Sequence, residues 1–156
     1  MINFCAVKTM TQRDQETHTQ AFIETDYYIQ IDTQHARDWH KVNIGKPCAV
    51  PTRRWLQKRC QGQSAWIITA YNPRAMRADG QLNSARDAAL RACLDASGHR
   101  YAATDSRAQA ADWPAEPGVC ILDMDEGLAR ALALRFEQAA IVAVPIEKEV
   151  QLVWIN

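Results

Sequence analysis

The chain has 156 residues, 47% hydrophobic and 23% charged, and its 18 basic side chains balance its 18 acidic ones. That length fits one domain with a proper core, the composition is ordinary globular usage, and zero net charge makes a nucleic-acid partner an unfavoured expectation. No apolar run is long enough to span a bilayer, and Met-Ile-Asn-Phe-Cys-Ala-Val-Lys at the start lacks the basic region and apolar core of a signal peptide, so the expectation is a cytoplasmic protein with no membrane partner.

Residues 11–24 are polar with an apolar finish at Phe22 and Ile23, which predicts a weakly amphipathic helix. Residues 1–20 are expected to form a polar helical segment, and 21–156 a single α/β domain. Tyr27-Tyr28-Ile29-Gln30-Ile31 is rich in strand formers, and Arg37 to Ile44 reads as its hairpin partner across a polar turn at 32–35. Pro51 to Gln61 is a short helix, with proline near its start and Gly62 past its end. Trp55, Leu56 and Cys60 would form its inner face, and Arg53, Arg54, Lys58 and Arg59 its outer side.

Ala65 to Ala70 is a nearly continuous apolar run, too short for a helix, and fits a buried strand. Asn72-Pro73 breaks it, because proline fixes its own φ and pushes the residue before it out of the helical region. A second helix follows over 82–97, capped by Asn83 or Ser84, with an apolar stripe of Leu82, Ala85, Ala89, Leu90, Cys93, Leu94 and Ala96. Residues 99–118 read as an irregular loop. Val119 to Leu122 is another buried strand. Asp123-Met124-Asp125 leads into a helix to Phe136 with Leu128, Leu132 and Phe136 on one face, and strands at 140–144 and 150–155 close the chain as a hairpin.

This order predicts a single-domain mixed-sheet α/β fold, with helices packed on the faces of the sheet, antiparallel hairpins at the chain ends, and right-handed parallel crossovers in the middle.

The chemistry is chiefly a matter of exclusion. The five cysteines are scattered, with no Cys-x-x-Cys pair, as in reduced thiols used as small apolar residues. The histidines are isolated, and the glycine-rich nucleotide loops and the Gly-x-Ser-x-Gly elbow are absent. Asp123 and Asp125 at a strand end could hold magnesium; capping of the next helix is the commoner use, and no metal or cofactor is assigned. Residues 51–100 carry nine basic and three acidic side chains, and residues 101–156 four and nine. The basic middle could bind an anion, or the two regions could neutralise each other in the fold.

The exit of the central strand is the candidate site. Ligands of open α/β sheets gather where strands end, and Thr69, Tyr71, Asn72 and Arg74 could converge there, with Asn83 and Arg86 joining them from the opening turn of the next helix. A helix N-terminus with two guanidinium groups would suit a phosphate or carboxylate. The plain alternative is that Thr69 and Asn72 satisfy turn backbone, Tyr71 packs at the sheet rim, Asn83 caps and Arg86 pairs with an acid.

Thr69-Ala70-Tyr71-Asn72-Pro73-Arg74, Asn83 with Arg86, Glu116-Pro117, Phe136 with Gln138, Ala140-Ile141-Val142, and Leu152 with Trp154 together resemble a bacterial family, domain of unknown function 3293. The chain departs from that pattern at Ala75, where a serine is usual, at Leu82, where a glutamate is usual, and at Glu137, where a glycine is usual. The resemblance implies a domain and a site, and no activity. The expected function is binding of a small anionic, nucleotide-like ligand at the Thr-Ala-Tyr-Asn-Pro-Arg loop. The alternative is a protein-interaction or regulatory module, including a homodimer, built on exposed tryptophans. No nucleophile–base pair is visible, so catalysis is not assigned.

Overall fold

The computed structural model describes residues 11–32, 37–110 and 112–155. Cys5, His35, the turn at 33–35 and the first ten residues of the expected N-terminal segment lie outside them. The elements run α1 (Gln12–Ile23), β1 (Asp26–Asp32), β2 (Arg37–Val42), α2 (Val50–Arg59), β3 (Ala65–Ile68), α3 (Gly80–Ser97), β4 (Tyr101–Arg107), β5 (Glu116–Ile121), α4 (Glu126–Arg135), β6 (Ala140–Val144) and β7 (Gln151–Trp154), with one 3-10 turn at Pro73–Ala75.

The strands form one seven-stranded sheet in the order β2-β1-β4-β5-β3-β6-β7. An α/β domain with hairpins at both ends is what the sequence predicts. The parallel pairing expected in the middle is not found among the described residues, where every pairing is antiparallel. The cause is β4, a strand where the sequence reads as loop. With β4 present, β3 and β4 run in the same direction on either side of β5, and β5 and β6 do so on either side of β3. Each helical crossover therefore skips one strand. From β3 to β6 this is the double split β-α-β arrangement, the ferredoxin-like topology, extended by β1 and β2 on one side and β7 on the other.

The sheet buries both faces, and strand alternation sorts its residues between them. On one face Ile67, Cys120, Val142 and Val144 pack with Trp55 and Leu56 of α2. On the other, Trp66, Ile68, Val119, Ile121 and Ile141 pack with Leu90 and Leu94 of α3 and Ala129 and Ala133 of α4. Of the side chains expected on the inner stripes of α3 and α4, Leu82 and Leu128 are exposed and Ala85, Ala89 and Ala96 face solvent. Small alanines at 129 and 133 let α4 lie close to a sheet that supplies the bulk itself. Burial pushes the thiols of Cys48, Cys60 and Cys120 up from their ordinary range, which suits inert packing.

Side-chain caps open α1, α3 and α4, whereas α2 starts without one and has Pro51 in its first turn. Thr11 and Asp14 form a reciprocal capping box on α1. Asp125 accepts from the Leu128 N–H at the start of α4, and Asp123 accepts from the N–H groups of Gln61 and Gln63. The cap of α3 is Asp79, which accepts from Leu82 N–H, one turn earlier than the Asn83 or Ser84 expected. Asn83 lies inside the helix and is buried. α1, which has no fully buried residue, lies on the α2 side of the sheet, held by an edge-to-face contact of Phe22 with Trp154 at 5.5 Å.

Candidate functional site

β3 ends at Ile68, and the backbone then enters an unusual loop. Asn72, Arg74 and Ala75 all have positive φ, at 48°, 59° and 57°. Side chains other than glycine rarely adopt this region, and such strain collects at functional sites. Opposite them Glu137 also has a positive φ, 54°, and its carbonyl accepts from Arg74 N–H at 2.7 Å. A left-handed backbone at 137 is the physical reason that a glycine would suit that position.

Asn72 is the hub. Its N–H donates to Asn83 Oδ1 at 2.8 Å. Its Oδ1 accepts from Ala78 N–H at 2.9 Å and from Asn83 Nδ2 at 3.0 Å. Its Nδ2 donates to Glu116 Oε1 at 2.6 Å, and Trp113 Nε1 donates to the same oxygen at 2.9 Å. Thr69 Oγ1 donates to Pro117 carbonyl oxygen at 2.8 Å and accepts from Tyr71 N–H at 3.1 Å. The register that sets Ile68 opposite Val119, continued outward along both strands, brings residues 71 and 72 alongside Glu116.

This network forms one end of a cavity of about 260 Å³ between α1 and the sheet. Thr69, Tyr71, Asn72, Trp113, Glu116 and Gln138 line it from the loops. His18, Ala21 and Phe22 line it from α1, at the spacing of one helix face. The remaining wall is mostly apolar and comes from strands, including Tyr27, Ile67, Val142 and Leu152. Gly118 lies beneath, where a Cβ would come within 2.8 Å of Ile68 carbonyl oxygen and 2.9 Å of Thr104 Oγ1.

Burial raises Glu116 above the ordinary carboxylate range, partly offset by the donors Asn72 and Trp113, which favour its ionised form. Burial likewise raises the Tyr27 phenol.

The six residues singled out from the sequence divide. Thr69, Tyr71 and Asn72 line the cavity. Asn83 stands behind Asn72 and fixes it. Arg86 Nε donates to the carbonyl of Ala70 at 2.9 Å, and its NH2 group donates to the carbonyl of Phe136. Arg74 pairs with Glu137 at 2.8 Å and Arg86 with the same carboxylate at 3.6 Å, so the two guanidinium groups share one acid. Neither arginine lines the cavity.

Sequence reasoning left His18, Tyr27, Trp113, Glu116 and Gln138 out of the site. Glu116 carried a usable signal, an acid at the head of an apolar strand. The others reach the cavity from elements distant in sequence. Among the described residues no helix is long and apolar enough to cross a membrane, and no group of three or more acidic, histidine or cysteine side chains could hold a metal ion.

No curated protein and no solved structure matches the chain. Residues 68–141 match the family model described as protein of unknown function (DUF3293). That segment holds the network just described, from Thr69 through Asn72, Asn83 and Arg86 to Glu116 and Gln138, and the match supports the resemblance to the DUF3293 family.

Proposed function

We propose that the protein binds a small molecule in the cavity between α1 and the sheet, with the Thr69–Ala75 loop as its rim. One observation carries this reading. A strained loop, two asparagines and a half-buried carboxylate converge at the polar end of a cavity whose other walls are largely apolar. An apolar pocket with a few fixed polar groups is the general form of a small-molecule site. Its volume of about 260 Å³ suits a compact ligand.

The nucleotide-like anion expected from the sequence would need Arg74 and Arg86. They do lie close together, through Glu137. Arg86, however, is engaged with two carbonyl groups, and an anion inside the cavity would face Glu116 with no arginine or lysine among the described residues of the wall. The cavity is therefore the better-supported site, and the arginines are its outer frame. For the interaction-module alternative, the tryptophans offer little: Trp55 is buried, Trp113 is turned onto Glu116, and Trp39 stands 49% exposed on the edge strand β2.

Native mass spectrometry of freshly purified protein, with Ala140→Phe as a variant that fills the cavity, tests the reading. A retained small molecule that the filled variant loses supports it. No retained mass, and no thermal stabilisation by any member of a fragment library, overturns it.

A further inference from the structure

We infer that the cavity takes a small organic amine in its cationic form, with the ammonium group hydrogen-bonded to the Glu116 carboxylate and the apolar body packed among Phe22, Tyr27, Ile67 and Val142. This rests on the reading of the cavity as a ligand site and adds the charge class of the ligand.

The argument starts from what Glu116 lacks. Its two hydrogen-bond partners, the Asn72 amide and the Trp113 indole, are neutral, and both reach Oε1. Oε2 accepts no hydrogen bond from the described residues, and Glu116 forms no ion pair among them. Among the described residues the wall holds no lysine or arginine; its other titratable side chains are His18 from α1, Tyr27 from β1 and Tyr71 from the rim. A carboxylate set in a mostly apolar wall needs either a proton or a cation to balance it. Burial favours the proton, as its upward shift records.

The surroundings favour a cation over a neutral donor. Four aromatic rings line the same cavity: Phe22, Tyr27, Tyr71 and Trp113. Ring faces attract ammonium groups, more so where water is excluded. A carboxylate with a free oxygen, in a cavity that aromatic side chains line and that no described lysine or arginine enters, is the chemistry that recognises an alkyl or aryl amine. The same chemistry rejects a carboxylate or phosphate of equal size.

Two matched series test this on the full chain, labelled with 15N and titrated near neutral pH: benzylamine, benzyl alcohol and benzoate, then tryptamine, tryptophol and indole-3-acetate. The expected result is that each amine binds about tenfold or more tightly than its alcohol, the gain from a charge-assisted hydrogen bond, with the carboxylate weakest. Glu116→Gln should bring the amine to the affinity of the alcohol. In the unaltered protein, acidification should erode the preference for the amine as Glu116 takes up its proton. Equal affinity of amine and alcohol, or tightest binding of the carboxylate, overturns the inference and leaves the cavity a ligand site. A preference for the amine that survives Glu116→Gln, or that persists unchanged through acid where that variant does not fold, overturns Glu116 as the partner. Binding of no member of either series overturns the amine inference, and the retained mass and the fragment library then decide the cavity reading separately.

Discussion

The side-chain amide of Asn72 donates to Glu116 Oε1 across 2.6 Å, joining residues 44 apart in sequence. It ties the exit of β3 to the entrance of β5 and fixes which way the carboxylate faces. Asn72 does this from a left-handed conformation, and Asn83 holds it there by accepting from its backbone N–H and donating to its side-chain oxygen.

Asn72→Asp puts a second carboxylate at that contact. Two carboxylates this close cannot both ionise without cost. The variant should lose about 2–4 kcal/mol near neutral pH, and recover part of it in mild acid, where the pair shares a proton. Urea denaturation at the two pH values checks this. An equal loss at both would mean that the amide matters only as a backbone brace.

Glu116 gives the native protein a pH dependence of definite sign. Its folded pKa is raised above the unfolded value, so its contribution to stability is fully present below the ordinary carboxylate range and is lost as pH rises through the raised value. Glu116→Gln removes the titration and keeps the shape. The stability of the variant relative to the parent should therefore rise with pH across that window and level off above it. Thermal melts of both proteins over an acid-to-neutral series read the difference directly.

Arg86 and Arg74 share Glu137 but differ in burial, at 18% and 51% side-chain exposure. Arg86 satisfies the carbonyls of Ala70 and Phe136. Arg86→Ala should cost about 2–4 kcal/mol, and Arg86→Lys should restore little, because an ammonium cannot fork between two carbonyls. Arg74→Ala should cost under about 1 kcal/mol, as exposed ion pairs do. Midpoints in urea rank the three.

Gly118→Ala should be destabilising by about 1–3 kcal/mol. The added Cβ meets the backbone carbonyl of Ile68 and the buried Thr104 hydroxyl, and the carbonyl cannot swing aside without disturbing β3. A melting temperature equal to the parent's would show that the sheet has room there.

The elements legible in the sequence are those with strong apolar pattern or sharp punctuation. β3 and β5 are short apolar runs, and Asn72-Pro73 marks the loop that matters. β4 was not legible: Thr104, Asp105 and Ser106 interrupt its apolar character, and only Thr104 of the strand is buried. That one missed strand is why the middle of the sheet reads as parallel. Half of the cavity rim was legible, because Thr69, Tyr71 and Asn72 fall within four consecutive residues. The roles of the arginines were not, because sequence does not reveal which carbonyl oxygens folding leaves without donors. His18 and Gln138 were hidden by distance along the chain.

The split crossovers bear on how the molecule comes to exist. β3 must wait for β5 to fill the place beside it, and the hollow under α1 is bounded by Leu152 of β7, far along the chain from α1. A sheet assembled from such remote partners folds slowly. On the ribosome α1 emerges long before β7, whose Leu152 completes one wall of its shelter, so the hollow cannot close while α1 is new.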